Sequence, residues 1–284
     1  MANSQKIGVV SDNACALPKK ITDQYQIEIV ETKLFFPEWE KFPEKNLYQL
    51  MAETKSYPKT ASPAPGEFLK TYKKVLEKFE KALVITLSVK LSGTFNSAFQ
   101  AKELMTESEK VLLFDSMSAV APEGLLVLKA INLIREGKKI EEVLRELEKT
   151  RKKIKLAGFL ATTYWAEKSG RMSKFQANLL NFLKGLGIQL IIGVKRGKVG
   201  LTGFKFWTKS SLKVIFEKIK KENKKSAGRL KVGINYTDNI DLAYQLKEKL
   251  EKELKAEVLF ISLVPPIIGA NSGPGTLIAG YYYD

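Results

Sequence analysis

The chain has 284 residues, 47 lysines and arginines against 31 aspartates and glutamates, a formal charge of +16, and no histidine. Without imidazole there is no Ser-His-Asp or Cys-His relay and no histidine-ligated metal site; the single cysteine, Cys15, excludes an intrachain disulfide and a thiolate zinc cluster. Apolar residues at 44% can fill a core, and at roughly 150 residues per domain the length favours two domains.

Residues 2–6 lead straight into Ile7-Gly8-Val9-Val10, too short an apolar run for a secretory signal, and no stretch of about 18 apolar residues spans a bilayer. A cytoplasmic protein is expected. The apolar run 6–11 reads as a strand, and Leu17-Pro18 opens a helix to about Tyr25. A second strand follows over 27–33. Helical spacing covers 47–54 and 65–79, the latter with Pro65 in a first-turn position. Then come a buried strand at 82–87, a helix at 94–106, a strand at 111–115 and a helix at 123–135. Between Lys138 and Lys155 basic residues alternate with Glu141, Glu142, Glu146 and Glu148, as on a solvated helix face. Strands alternating with helices argue a parallel sheet covered by helices.

The second half differs. A strand over 156–163 is followed by 188–194 and 199–206, which flank a hairpin turn at Lys195-Arg196-Gly197-Lys198. A strand over 230–237 runs into Asp238 as the N-cap of an amphipathic helix to about Lys255, and strands over 257–264 and 276–283 complete the set. The fold class expected is α/β in two domains: residues 1–155 with a parallel sheet between helix layers, and residues 156–284 with a mixed sheet.

Nine basic residues lie between Lys209 and Lys231 against Glu217 and Glu222, which raises a nucleic-acid-binding alternative. No helix-turn-helix, zinc-finger or RNP pattern accompanies them, so a solubilising surface accounts for them and no nucleic acid is expected. Enzyme motifs fail in turn. There is no P-loop; Gly185-x-Gly187 has Leu190 where a dinucleotide fingerprint needs glycine; Ser210-Ser211-Leu212-Lys213 lacks the partner motifs of S-x-x-K hydrolases. Asp12 and Asp115 both end strands and could form an acid–base pair, the basis of a second alternative, a stand-alone enzyme on a small anionic substrate. Aspartates so placed more often cap helices or brace loops.

Four loops rich in small hydroxyl residues, Gly and Pro end predicted strands: Ser11-Asp12-Asn13, Thr60-Ala61-Ser62-Pro63, Leu91-Ser92-Gly93-Thr94 and the glycine-rich run from Gly269 to Gly275. Ligands of open α/β sheets bind beyond the strands' carboxyl ends, and Ser92-Gly93-Thr94 stands before a helix whose N-terminus favours an anion. Thr60-Ala61-Ser62-Pro63 with Gly66-Glu67-Phe68 resembles T-S-Q-P-S-P-G-E-F. Residues 87–98 resemble L-S-S-K-L-S-G-T-Y-Q-S-A. Asp115-Ser116-x-Ser118-Ala119, Ser169-Gly170-Arg171-Met172-Ser173 and Gly273-Pro274-Gly275 fall in the same order. On these motifs the chain resembles, over nearly its whole length, the DegV family, the fatty-acid-binding subunits of the bacterial fatty acid kinase system.

That resemblance implies a lipid carrier, not an enzyme, with no cofactor or metal. One long-chain fatty acid lies in a tunnel between the two domains, its carboxylate presented to a separate ATP-dependent fatty acid kinase subunit. It implies carboxylate contacts at Thr60, Ser92 and Asn271, supported by Ala61, Ser62, Gly93, Thr94, Ser272 and Gly273. Arg171 is implied to meet the kinase or, transiently, a membrane surface. The chain departs from the family pattern in having Ala16 where the family has a second acid, Pro122-Glu123 in a glycine-rich stretch, and Asn271 where the family has histidine. Asn271 can donate a neutral hydrogen bond but carries no charge.

Overall fold

In a computed structural model, which describes residues 6–54, 56–170, 173–206, 210–224 and 226–284, the first strand β1 (Ile7–Asp12) is buried at every position. A 3-10 turn at Asn13–Cys15 ends it, and Pro18 precedes α1 (Lys19–Gln24). The strand expected over 27–33 is two. β2 (Glu28–Val30) runs parallel to β1, whereas β3 (Lys33–Phe35) pairs antiparallel with β4 (Lys59–Ala61) in a separate ribbon. Between β3 and β4 lie α2 (Pro37–Lys41) and α3 (Leu47–Thr54). The chain continues through α4 (Pro65–Leu76), β5 (Lys81–Thr86), α5 (Thr94–Glu103), β6 (Val111–Asp115), α6 (Ala121–Arg135) and α7 (Ile140–Lys153).

β2, β1, β5 and β6 form a parallel sheet in that order. Such sheets are covered on both faces. Here α4 and α5 cover one face with Phe68, Tyr72, Val75 and Ala98, and α6 and α7 the other with Leu126, Ile131, Val143 and Leu147.

The rest comprises β7 (Lys155–Phe159), α8 (Tyr164–Lys168), α9 (Lys174–Gly185), β8 (Ile188–Lys195), β9 (Lys198–Phe206), α10 (Ser211–Asn223), β10 (Leu230–Tyr236), α11 (Ile240–Leu254), β11 (Glu257–Leu263), α12 (Pro266–Ser272) and β12 (Leu277–Tyr283). Its sheet has the order β11-β10-β12-β7-β8-β9 and is mixed, since β10 runs parallel to β11 and antiparallel to β12. Arg196 and Gly197 turn the β8–β9 hairpin with φ of +52° and +81°, the pair of positive values that suits a right-twisted two-residue turn. Val214, Phe216, Leu246 and Leu250 from the helices close on Val232, Ile234 and Tyr281 of the strands. Among the described residues no helix is long and apolar enough to cross a membrane.

The chain divides into two compact units otherwise than a single cut at residue 155. One comprises Met1–Thr32, Ser62–Ile154 and Arg196–Lys198; the other comprises Lys33–Ala61, Lys155–Lys195 and Val199–Asp284. The β3–β4 segment joins the second unit because Leu47, Tyr48, Leu50 and Met51 of α3 bury against Trp165 of α8, and Tyr48 Oη donates to the Val264 carbonyl at 2.6 Å. Two local readings also change. Asn239, not Asp238, caps α11, its side chain accepting the Leu242 N–H at 3.1 Å. Residues 266–272, expected within a loop region, form α12, because Pro266 sits in the first turn, where its missing N–H has no cost.

Candidate functional site

In the first unit the site grows from the carboxyl end of β5. Residues 87–93 leave the strand as a loop and end at Gly93, the N-cap of α5. Ser92 Oγ lies 2.9 Å from both Ser62 Oγ and Thr94 Oγ1, and accepts the Thr94 N–H at 3.3 Å. Ser62, Ser92, Gly93 and Thr94 are thus brought together. Each hydroxyl can donate or accept by rotating, and the first-turn N–H groups of α5 lack intrahelical acceptors. A cluster of this kind at a helix N-terminus can hold a carboxylate or another anion.

The loop is braced from the strands beneath it. Asp12 accepts the Ala14 N–H at 2.8 Å through one oxygen and the Leu87 N–H at 2.9 Å through the other. Burial pushes its carboxyl up to about 7 against those two donors, which act to lower it. Ser88 N–H donates to the Ser118 carbonyl at 2.7 Å, and Ser88 Oγ donates to the Gly197 carbonyl at 2.8 Å. Asp115 accepts the Met117 N–H at 2.8 Å. Both aspartates considered for an acid–base pair therefore hold main chain, and Asp12 is fully buried. Among the described residues no group of three or more acidic or cysteine side chains is placed to hold a metal ion.

In the second unit α12 packs beside the β3–β4 ribbon, which carries Thr60 and Ala61. The Asn271 amide is held at both ends: Oδ1 accepts from Tyr57 Oη at 3.0 Å, and Nδ2 donates to the Ile267 carbonyl at 2.8 Å. Ser272 is buried, and its Oγ has no hydrogen-bond partner among the described residues. A buried hydroxyl left unpaired costs about 1–3 kcal/mol, and a polar atom brought to it would offset that cost. Gly273, at φ +74°, leaves room that a Cβ would take from the buried Trp165 ring. Asp238, displaced from its expected cap, accepts the Gly275 N–H at 2.9 Å and so braces the Gly273-Pro274-Gly275 loop. No sequence motif marks Tyr57, and the spacing points Asp238 to the α11 cap instead.

Two surface features complete the inventory. α9 exposes Phe175, Leu179 and Phe182, with Leu186 just past its end; these fall at i, i+4, i+7 and i+11, a continuous apolar stripe on the solvent side. Lys174 and Lys184 belong to the same helix. In the basic run, Lys218, Lys220, Arg229 and Lys231 each pair with a carboxylate, at 2.9 to 3.3 Å. Arg171 lies outside the described residues.

Comparison with known proteins shows what the chain is similar to. A model of the family described as "Uncharacterised protein, DegV family" matches residues 6–284. A DegV domain-containing protein of Clostridium acetobutylicum is 33% identical over 278 residues, covering 95% of each chain. Among solved structures, that of a fatty-acid-binding DegV family protein from Thermus thermophilus superposes with a TM-score of 0.85 at 25% identity, covering 98% of this chain and 100% of the other. The Streptococcus pneumoniae fatty acid kinase B3 protein loaded with linoleic acid shares the fold, with a TM-score of 0.79 at 22% identity, covering 98% of this chain and 100% of the other.

Proposed function

The chain belongs to the DegV family, and on that premise we propose that it is a carrier of one long-chain fatty acid, with no chemistry of its own. The observation that carries this reading is the hydroxyl cluster of Ser62, Ser92 and Thr94 at the α5 N-terminus. Within the second unit, Thr60, Asn271 and the buried Ser272 hydroxyl are the neutral polar groups that the family resemblance assigns to ligand binding. The ligand supplies most of the affinity itself, since each buried methylene contributes about 0.8 kcal/mol. Few polar contacts are then needed, and none must be cationic: a neutral donor to a charged carboxylate still contributes about 1.5–3 kcal/mol.

The carboxylate held in this way is handed to a separate ATP-dependent fatty acid kinase, whose active groups this chain does not supply. The acid is exchanged at an anionic membrane surface, which the apolar stripe of α9 and its lysines suit by both polarity and charge. Native mass spectrometry of the gently purified protein tests the carrier reading. The expected spectrum is the chain plus one long-chain fatty acid. A protein that emerges empty and takes up neither palmitate nor oleate overturns it.

A further inference from the structure

The loop that carries Ser92 is fixed by Asp12, and beside Asp12 lies a second buried acid that the binding site does not use. Glu123 is in the first turn of α6 and is fully buried. Its Oε2 has no hydrogen-bond partner among the described residues. Its Oε1 meets only Ser11 Oγ, at 3.4 Å. That hydroxyl carries a single hydrogen, and the Ile85 carbonyl at 2.8 Å is the better-placed acceptor for it. The Ser11–Glu123 contact then needs its hydrogen from the carboxyl group.

The surroundings agree. The groups acting on Glu123 are acidic: Asp12 at the end of β1 and Asp115 at the end of β6. Cys15 in the turn after β1 feels both Glu123 and Asp12, and Glu31 also acts on Asp12. Arg151 of α7 directs its guanidinium to the Asp115 carbonyl, the Glu148 carboxylate and the Phe114 ring. Burial first, then Asp12, holds the Glu123 carboxyl well above the usual carboxylate range. Asp12 differs in having two backbone N–H donors, which favour its anion. Adjacent acids in unlike surroundings divide their protons unequally. The segment that delivers Glu123 is tied to the same turn, since Val120, at φ +52°, donates its N–H to the Ala14 carbonyl at 2.8 Å.

We infer that Glu123 holds a proton in the folded chain and, as a neutral acid bonded to Ser11, is a positioning residue that leaves Asp12 free to anchor the loop carrying Ser92. What that loop binds rests on the fatty-acid reading; the protonation does not. An ionised Glu123 would set a second buried negative charge beside Asp12. The pair could relieve it only by moving the proton to Asp12, which weakens the hold on Leu87 N–H.

The test is Glu123→Gln in the full chain, ligand-free. Both acids have folded-state pKa values raised above the unfolded ones, about 4, so their contribution is most favourable below that pH and is lost as pH rises toward the folded values. Near and above pH 7, where Asp12 is the anion that anchors the loop, the unfolding wild type still releases the Glu123 proton, and the variant does not. The dependence of the denaturation midpoint on pH becomes shallower accordingly. No histidine contributes in that window. The infrared C=O stretch of a protonated carboxyl, shifted by 13C-glutamate labelling in the wild type, disappears in the variant. An unchanged proton release overturns the inference. So does the lack of a labelled protonated-acid band in the wild type, which needs no variant to fold. Neither readout contains ligand, so a failure of the fatty-acid reading leaves both unmoved.

Discussion

In the first unit Ser62, Ser92 and Thr94 bond to one another, whereas in the second the Asn271 amide is clamped between the Tyr57 hydroxyl and the Ile267 carbonyl. The two arrangements answer one problem differently. Both are built from neutral groups, and a neutral O–H or N–H can still donate to a carboxylate. Hydroxyls redirect their hydrogens with no movement of heavy atoms, so the first cluster can switch from internal bonds to a ligand oxygen. A planar amide cannot do this by rotating one hydrogen, and its orientation is decided by what holds it. Removing a member of the first cluster should therefore cost a ligand bond directly, while removing a clamp in the second costs only orientation.

Ser92→Ala is the largest test of that difference. It deletes a donor to a charged group, about 1.5–3 kcal/mol, so fatty acid affinity should fall about 10- to 100-fold in displacement of a fluorescent acyl probe. The described tryptophans, Trp39 and Trp165, both belong to the second unit, so tryptophan fluorescence reports on that unit and not on the Ser92 loop itself. Wild-type affinity in the variant removes Ser92 from the site and ends the contrast.

The units also differ outside their polar clusters. The second displays on α9 an apolar stripe that no helix described in the first unit matches in length: Phe175 and Phe182 are 77% and 64% exposed. Phe182→Gln keeps a good helix former and removes one aromatic ring from the stripe. Burying such a ring in a lipid interface contributes about 1.5 kcal/mol or more. Partition onto anionic vesicles should fall about tenfold, with acyl affinity in detergent-free solution unchanged. Equal partition of both proteins would leave α9 without a membrane role.

The sequence made the first unit the more legible of the two. β6 falls on the expected 111–115, and β1 and β5 within a residue of expectation, because buried runs of Val, Leu and Ile bounded by turn residues leave little choice. Ser92 and Thr94 stand close in sequence around one helix start, whereas Ser62, 30 residues earlier, joins them only through the fold. The second unit depends on long-range choices. The spacing of 47–54 announces α3, yet nothing local says that Leu47 and Met51 will pack on Trp165 and not on the parallel sheet. On α9 the row Phe175, Leu179, Phe182 has helical periodicity, which reads like a buried face until the fold turns it outward. Pro265-Pro266 and two glycines disguised α12. Glu123 was visible only as a departure from a motif; its proton follows from Ser11 having one hydrogen and two neighbours.

Tyr57→Phe gives the smallest effect and the finest distinction. The ring stays, and one neutral hydrogen bond to Asn271 Oδ1 is lost, a contribution of about 1 kcal/mol. If Asn271 acts through its orientation, acyl affinity should fall about fivefold, well short of the Ser92→Ala loss. Asn271→Ala should then weaken binding no further in the Tyr57→Phe background than the two single changes do together, minus their shared coupling. A double-mutant cycle on acyl affinity measures that coupling. A coupling near zero, with each change acting alone, would mean that the clamp does not set the amide, and that the second unit meets its ligand as loosely as the first.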